Sequence, residues 1–236
     1  MQYITVAERS ESVFTLCDDA LPKREFRRRV EDVLRYLTNR LGRIAFVQVG
    51  ANDGAGDDMV NAFVKTGRWH GILVEPLPGA MASLQQEYAG LPRLHFEQLA
   101  IWPDDNPPAF WQVNGASVLS SFSREAIMMH AAKYEDLAAM LEPIEVQTER
   151  LGGLCNRHGV IPEVIAMDCE GNDDVVLSTF DLAANRVPVI LFEHVFLSSE
   201  RSAALRDRLE GLGYRLLFDR HDCLAVQPAA LPPLSE

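Results

Sequence analysis

Residues 46 to 76, FVQVGANDGAGDDMVNAFVKTGRWHGILVEP, constrain the fold more than any other stretch. Phe46, Val47 and Val49 form a short apolar run that stops at Gly50, and the turn-forming cluster Asn52-Asp53-Gly54-Ala55-Gly56 follows before a helical segment opens. A second apolar run, Gly71-Ile72-Leu73-Val74, ends on Glu75-Pro76. Strand, glycine-rich turn, helix and strand make a β-loop-α-β unit with a carboxylate at the tip of its second strand. Such a unit is half of a doubly wound sheet. Glycines in its first turn let the backbone approach a ligand closely, and an acidic side chain about 20 residues further on accepts hydrogen bonds from ribose hydroxyls.

The chemistry of the turn narrows the ligand. The dinucleotide spacing G-x-G-x-x-G is absent, the glycines standing at Gly50, Gly54 and Gly56. A pyrophosphate needs exposed N–H groups and a positive helix end, and Asp53 inside the turn would repel it. The same carboxylate would attract the ammonium of S-adenosylmethionine and tolerate its sulfonium, which favours that cofactor over NAD or ATP. Taken alone, Asn52-Asp53-Gly54 is equally consistent with an Asx-type turn that holds no ligand. Its combination with Glu75 is what favours the cofactor.

A chain of 236 residues that is 47% apolar can bury a substantial core. We expect a helical cover over residues 1–43 and a main domain over residues 44–236 that carries a lid-like insertion at residues 102–147. The net charge of −12 argues against nucleic acid as a partner, since phosphate binding needs clustered Lys and Arg. A small-molecule or glycan substrate fits better. Cys17, Cys155, Cys169 and Cys223 show no C-x-x-C spacing, so reduced thiols and a cytoplasmic setting are expected. The opening MQYITVAERSES has no basic stretch leading into an apolar one, and no run reaches the length of a membrane span, so neither export nor a membrane is expected.

Residues 1 to 20 carry scattered apolar positions without a period. Residues 23 to 41 place Phe26, Val30, Val33, Leu34, Leu37 and Leu41 at helical spacing, with arginines interleaved with Glu25, Glu31 and Asp32 on a solvated face. That apolar stripe can pack on its own sheet or on a second copy in a homo-oligomer. Met81, Leu84 and Tyr88 mark a helix begun near Pro78, and Leu94-His95-Phe96 a third strand running toward Gln98-Leu99-Ala100-Ile101. The carboxyl end of that strand reaches a ligand's base in such sheets, which makes Glu97 and Gln98 candidates.

From Trp102 the alternation breaks. A Pro-rich turn, the strand-like Phe110–Val113 and a second turn lead to Ser121 or Ser123 as cap of a helix carrying Ile127, Met128, Tyr134, Leu137 and Leu141. Loops on a rigid scaffold carry substrate choice, so the polar stretch Asn114–Ser123, with Ser120 and Ser121, is expected to touch substrate. Ile144–Thr148 reads as a short strand and Arg150–His158 as a helix.

Residues 163–171 form an apolar strand ending in Asp168, with Glu170 next but one and then a glycine. Two acids at a strand tip are costly unless something uses them. A helix begins at Asn172-Asp173-Asp174, and the buried strand of residues 187–192 ends in Glu193-His194. Both tips should face the crevice of Gly50 and Glu75. Asp168 and His194 are the candidate bases, with Glu193 or Glu170 orienting the imidazole or accepting substrate hydroxyls. His194 suits the task by its ordinary pKa; packing at a strand end is its other reading. Asp168, Glu170 and Glu193 could instead hold Mg²⁺, although the metal-free use is favoured. His70, His95, His130, His158 and His221 read as surface or structural. Ser199–Leu212 is a helix, and Tyr214–Phe218 with Asp222–Val226 a closing antiparallel hairpin.

In order, VQVGANDG, VEPLP, QLAI, MDCEGND, ILFEH and LGYRLL together resemble the FkbM family of S-adenosylmethionine-dependent methyltransferases over residues 44 to 226. The resemblance implies an α/β fold: the doubly wound, seven-stranded class I methyltransferase (Rossmann-like) sheet, mostly parallel with one antiparallel strand near the C-terminus. It also implies methyl transfer, usually to a hydroxyl of a sugar, polyketide or similar metabolite. Carried over by position, Gly50, Asn52, Asp53 and Gly54 would hold the methionine portion and Glu75 the ribose. Gln98 and Ala100 would border the adenine, and Asp168 and Glu170 match the family's Asp-x-Glu-Gly, with Cys169 in the variable place. A non-catalytic binder of the same cofactor and an N-methyltransferase are the alternatives.

Overall fold

In the computed structural model, which describes residues 20–56 and 58–232, strand residues of opposite parity enter opposite layers of helices. Helix α1 spans Lys23–Leu41, β1 Ile44–Val49, α2 Asn61–Val64, β2 Trp69–Val74, α3 Pro78–Glu87 and β3 Leu94–Glu97. Then come β4 Ala100–Ile101, β5 Phe110–Val113, α4 Arg124–Met128, β6 Leu141–Ile144, β7 Thr148–Glu149 and α5 Leu151–His158. The chain continues through β8 Val164–Met167, α6 Asp173–Ser178, β9 Val189–Glu193, α7 Ser199–Gly211, β10 Arg215–Phe218 and β11 Asp222–Val226.

Seven strands form one sheet in the order β10-β11-β9-β8-β1-β2-β3. Strands β3, β2, β1, β8 and β9 run parallel, and β11 is antiparallel to both of its neighbours. The expected mostly parallel sheet with one antiparallel strand near the C-terminus is therefore what the chain forms. Because the central strands are covered on both faces, they read as continuous apolar runs, as parallel sheets do. Val47, Val49, Ile165, Met167, Ile190 and Phe192 face the core under α5, α6 and α7. Ile44, Phe46, Val164, Ala166, Val189 and Leu191 face the opposite core, which α1 closes with Phe26, Val30, Leu34 and Leu37. The amphipathic stripe of α1 thus packs on this chain's own sheet.

Several local expectations are corrected. The helical segment after the glycine-rich turn is the single turn α2, because Asp58 accepts from the N–H groups of Val60 and Asn61 and delays the start. The third strand stops at Glu97, and Ala100–Ile101 pairs instead with β7. The helix expected to reach Leu141 ends at Met128; Asp136 adopts a left-handed conformation (φ 52°), and Leu141 begins β6, which pairs with β5. Ile144–Thr148 is correspondingly split between β6 and β7. Ser123 does cap α4, accepting from Ala126 N–H at 3.1 Å. The insertion has a small core of its own, Val113, Ala116, Leu119, Ile127 and Leu137. Residues 1–19, with Cys17 and the scattered apolar positions, lie outside the described residues; Cys155, Cys169 and Cys223 are free thiols. Among the described residues no helix is long and apolar enough to cross a membrane.

Candidate active site

The carboxyl ends of the parallel strands meet around one loop. Gly50 has φ +74°, and an added Cβ would lie 2.0 Å from the Asp168 carbonyl oxygen, so only glycine lets the β1 and β8 tips come this close. Gly50 and Ala51 both donate their N–H to Val74 O, at 3.0 Å each. Asn52, at φ 43°, donates its N–H to Glu75 Oε2 at 3.0 Å, and Leu77 donates to Glu75 Oε1 at 2.9 Å. Glu75 therefore braces the loop and the turn into α3 from a 5% exposed position. Burial pushes its carboxyl up to about 7, outweighing the two N–H bonds that favour the charged form.

These tips border a partly open cavity at the carboxyl ends of the strands, the place where ligands bind in such sheets. Gly50, Asn52, Glu75 and Asp168 form its polar wall. Leu99 and Ile101 from beyond β3, with Phe110, Val118 and Phe122 from the insertion, form its apolar wall. Phe122 is packed by Trp102 (ring centroids 4.7 Å) and edge-on by Phe110 (5.1 Å). Ser117 Oγ donates to Asn52 Oδ1 at 3.3 Å, so the insertion touches the glycine-rich loop across the opening.

Beyond Asp168 lies a carboxylate group. Asp168, Glu170 and Glu193 each bring one oxygen within 4.8 Å of the others, a set of hard ligands that could hold a divalent cation. Asp168 keeps accessible surface at the cavity, yet the protein around it displaces enough water to raise its pKa, with the Asp58 charge adding and a hydrogen bond from Glu193 opposing. Glu193 is raised further, by desolvation and then by the Asp168 charge, so the pair retains a proton near neutral pH. Behind them, fully buried Asp173 accepts from Cys169 N–H (3.2 Å) and Glu193 N–H (3.1 Å), tying the β8 and β9 tips together.

Residues 48–216 match the model of the methyltransferase FkbM domain. The chain belongs to the FkbM methyltransferase family. No curated protein matches it. Among solved structures, methyltransferase FkbM from Methylobacillus flagellatus KT is 15% identical, with a TM-score of 0.47, over 78% of this chain and 43% of that one. This chain thus spans less than half the length of that protein. Precorrin-6y C5,15-methyltransferase from Geobacter metallireducens GS-15 is 10% identical over 91% and 93% of the two chains, at a TM-score of 0.42. An O-methyltransferase from Bacillus cereus, solved in complex with SAH, is 10% identical over 93% and 87%, at 0.39.

Of the cofactor residues expected in this FkbM chain, Gly50, Asn52, Glu75, Ala100 and Asp168 line the cavity. Asp53, Gly54 and Gln98 are not on its wall. Asp53 is exposed and accepts from Ala55 N–H at 2.9 Å, which is the Asx-type turn. Gly54 is buried because Leu84 and Tyr88 pack against it, at 2.7 and 2.9 Å from where a Cβ would stand. Gln98 is exposed, and Glu97 pairs with Arg157 and His158.

Ser120 and Ser121 line the cavity, but both hydroxyls are engaged within the protein. Ser120 Oγ accepts from Val113 N–H (3.0 Å), and Ser121 Oγ donates to Glu170 O while accepting from Asn172 Nδ2, both at 2.8 Å. His194 is held off the cavity wall: Nε2 meets Asp219 O at 3.1 Å and the ring stands edge-on to Phe218, the packed reading of this histidine. The histidine beside the acids is His130, whose Nε2 lies 3.2 Å from Glu170 Oε2. No sequence signal marked it, since the approach depends on how the insertion folds back. Asp173 was visible only as the start of a helix.

Proposed function

We propose that this chain is an S-adenosylmethionine-dependent O-methyltransferase acting on a hydroxyl of a sugar, polyketide or other small metabolite. One observation carries the reading: in a chain of the FkbM family, Gly50, Asn52, Glu75 and Asp168 border a single cavity at the carboxyl ends of the strands. The cavity's chemistry suits the cofactor. Glu75 has lone pairs left for ribose hydroxyls after accepting from Asn52 and Leu77, Leu99, Ile101 and Phe122 offer an apolar bed for a base, and Asp168 offers charge to a cation. When bound, S-adenosylmethionine supplies an electrophilic methyl group.

The protein's share is then to orient an acceptor hydroxyl, exclude water and take one proton. Positioning accounts for much of the rate in such a displacement. A base adds about a hundredfold or more. Asp168 is the group that reaches the cavity, and Glu193 hydrogen-bonded behind it tunes its readiness to take that proton.

Calorimetric titration with S-adenosylmethionine should give saturable binding, weakened about tenfold or more in Glu75→Ala, the loss of a hydrogen-bonded carboxylate being on the order of 1.5–3 kcal/mol. Incubation with a panel of methyl glycosides and hydroxylated macrolactones should release S-adenosylhomocysteine. Asp168→Asn should slow that release about a hundredfold or more, while cofactor binding is weakened but still measurable. No binding to the wild type would overturn the cofactor assignment; undiminished turnover in Asp168→Asn would remove the base.

A further inference from the structure

The loop after β8 is built in a way that it cannot sustain by itself. Glu170 has φ +47°, a conformation that side chains rarely adopt, and it stands among carboxylates while only 8% exposed. Hydration would favour swinging Glu170 out to water. Three contacts from the insertion oppose this. Ser121, 1% exposed, donates Oγ–H to the Glu170 carbonyl oxygen at 2.8 Å and is itself held by Asn172 Nδ2 (2.8 Å) and Ser123 N–H (2.9 Å). His130 places Nε2 3.2 Å from Glu170 Oε2, the two side chains being 12% and 11% exposed, and its ring packs on Phe196 at 4.8 Å. Ala126 packs so closely on Gly171 that a Cβ there would meet its methyl group at 2.9 Å.

We propose that Ser121 and His130 are positioning residues: one grips the backbone of Glu170 and the other its carboxylate, so that the insertion sets where Glu170 stands beside Asp168 on the acceptor side of the site. The acceptor's presence on that side rests on the methyl-transfer reading above; the clamp itself does not. It separates the two serines by role. It also makes residues 102–147 part of the site's working geometry, since the group they hold belongs to the main sheet.

Hydrogen exchange on the full chain, read by mass spectrometry over peptides covering residues 168–173, tests the clamp, with calorimetry of S-adenosylhomocysteine alongside. His130→Ala and Ser121→Ala should each speed exchange of the Cys169 amide, which donates to Asp173 Oδ2 at 3.2 Å, tenfold or more, while β1 and β2 amides keep their wild-type rates. His130→Gln, whose amide also reaches Glu170, should restore exchange to within threefold of wild type. Combining His130→Ala with Glu170→Ala should add nothing to Glu170→Ala alone, and His130→Ala should bind S-adenosylhomocysteine within threefold of wild type. Unchanged exchange in both single variants, a glutamine variant as fast as alanine, or acceleration spread through the sheet would overturn the proposal. A wild type that fails to bind S-adenosylhomocysteine would sink the methyl-transfer reading and leave the exchange result to decide the clamp.

Discussion

Two residues of the first loop, three positions apart, differ sharply in what they do for the structure. Gly50 meets Asp168 O at a distance that no Cβ tolerates, whereas Asp53 faces water and serves its own turn. Gly50→Ala should therefore lose about 1–2 kcal/mol from the left-handed backbone alone, with further loss as the β1 and β8 tips separate, and should bind cofactor poorly. Asp53→Ala should keep cofactor affinity within about threefold, the mark of a contact worth less than about 1 kcal/mol. Comparable damage from both in thermal melts and calorimetry would contradict the placement. Glu75 gives a pH signature. Its folded-state pKa of about 7 stands above the ordinary 4.5, so through this window the folded chain holds a proton that the unfolded chain has lost. Stability from this group is full below the ordinary value and declines as pH rises through about 7, by on the order of 3 kcal/mol. Urea unfolding should show the wild type weakening from pH 5 to pH 8. Glu75→Gln should make that slope shallower without removing it, since buried Asp173 and Asp222 are raised into the same window, and should be less stable by about 1 kcal/mol at pH 5 because an amide oxygen cannot serve both N–H groups as a carboxyl does.

At the scale of elements, α1 is the piece whose role is easiest to underestimate. It precedes the segment that matches the family model, yet Phe26 and Leu34 are fully buried against Ile44 and Phe46 of the central strand, and Arg68 reaches back to Thr38 O and Gly42 O at its end. Leu34→Ala should cost about 2–5 kcal/mol, the range for emptying a close-packed leucine site. Denaturant unfolding checks this, and a loss under 1 kcal/mol would mean that the helix is only a loosely applied cover. The insertion behaves otherwise. Paired β4 and β7 bring its two ends together, β5 and β6 give it a frame, and its own core lets it hold a shape beside the sheet. Its contacts with the main domain include the polar ones at Ser117, Ser121 and His130.

Over the whole molecule, the split between what was legible in the residues and what was not follows the range of the forces involved. Apolar runs ended by Gly50, Glu75, Asp168 and Glu193 determine strands and their tips, because buried parallel strands need unbroken apolar sequence and a tip needs polarity. Their order and alternation with helices gave the sheet type, and the amphipathic period of residues 23–41 gave α1, since side-chain periodicity is a local geometric fact. Which tip residues share a wall was another matter. Asp53 and Asn52 are sequence neighbours, but the left-handed backbone at Asn52 sends its N–H to Glu75 and leaves Asp53 in water. His194 sits at a strand end as expected, but the β9–β11 pairing takes its ring to Asp219, and it is His130, 40 residues from Glu170 along the chain, that reaches the acids. The chain's residues by themselves determined the scaffold and its polar rim; packing between distant segments decided which of those polar groups meet, because hydrogen-bond partners and desolvation are settled only when the elements close on one another.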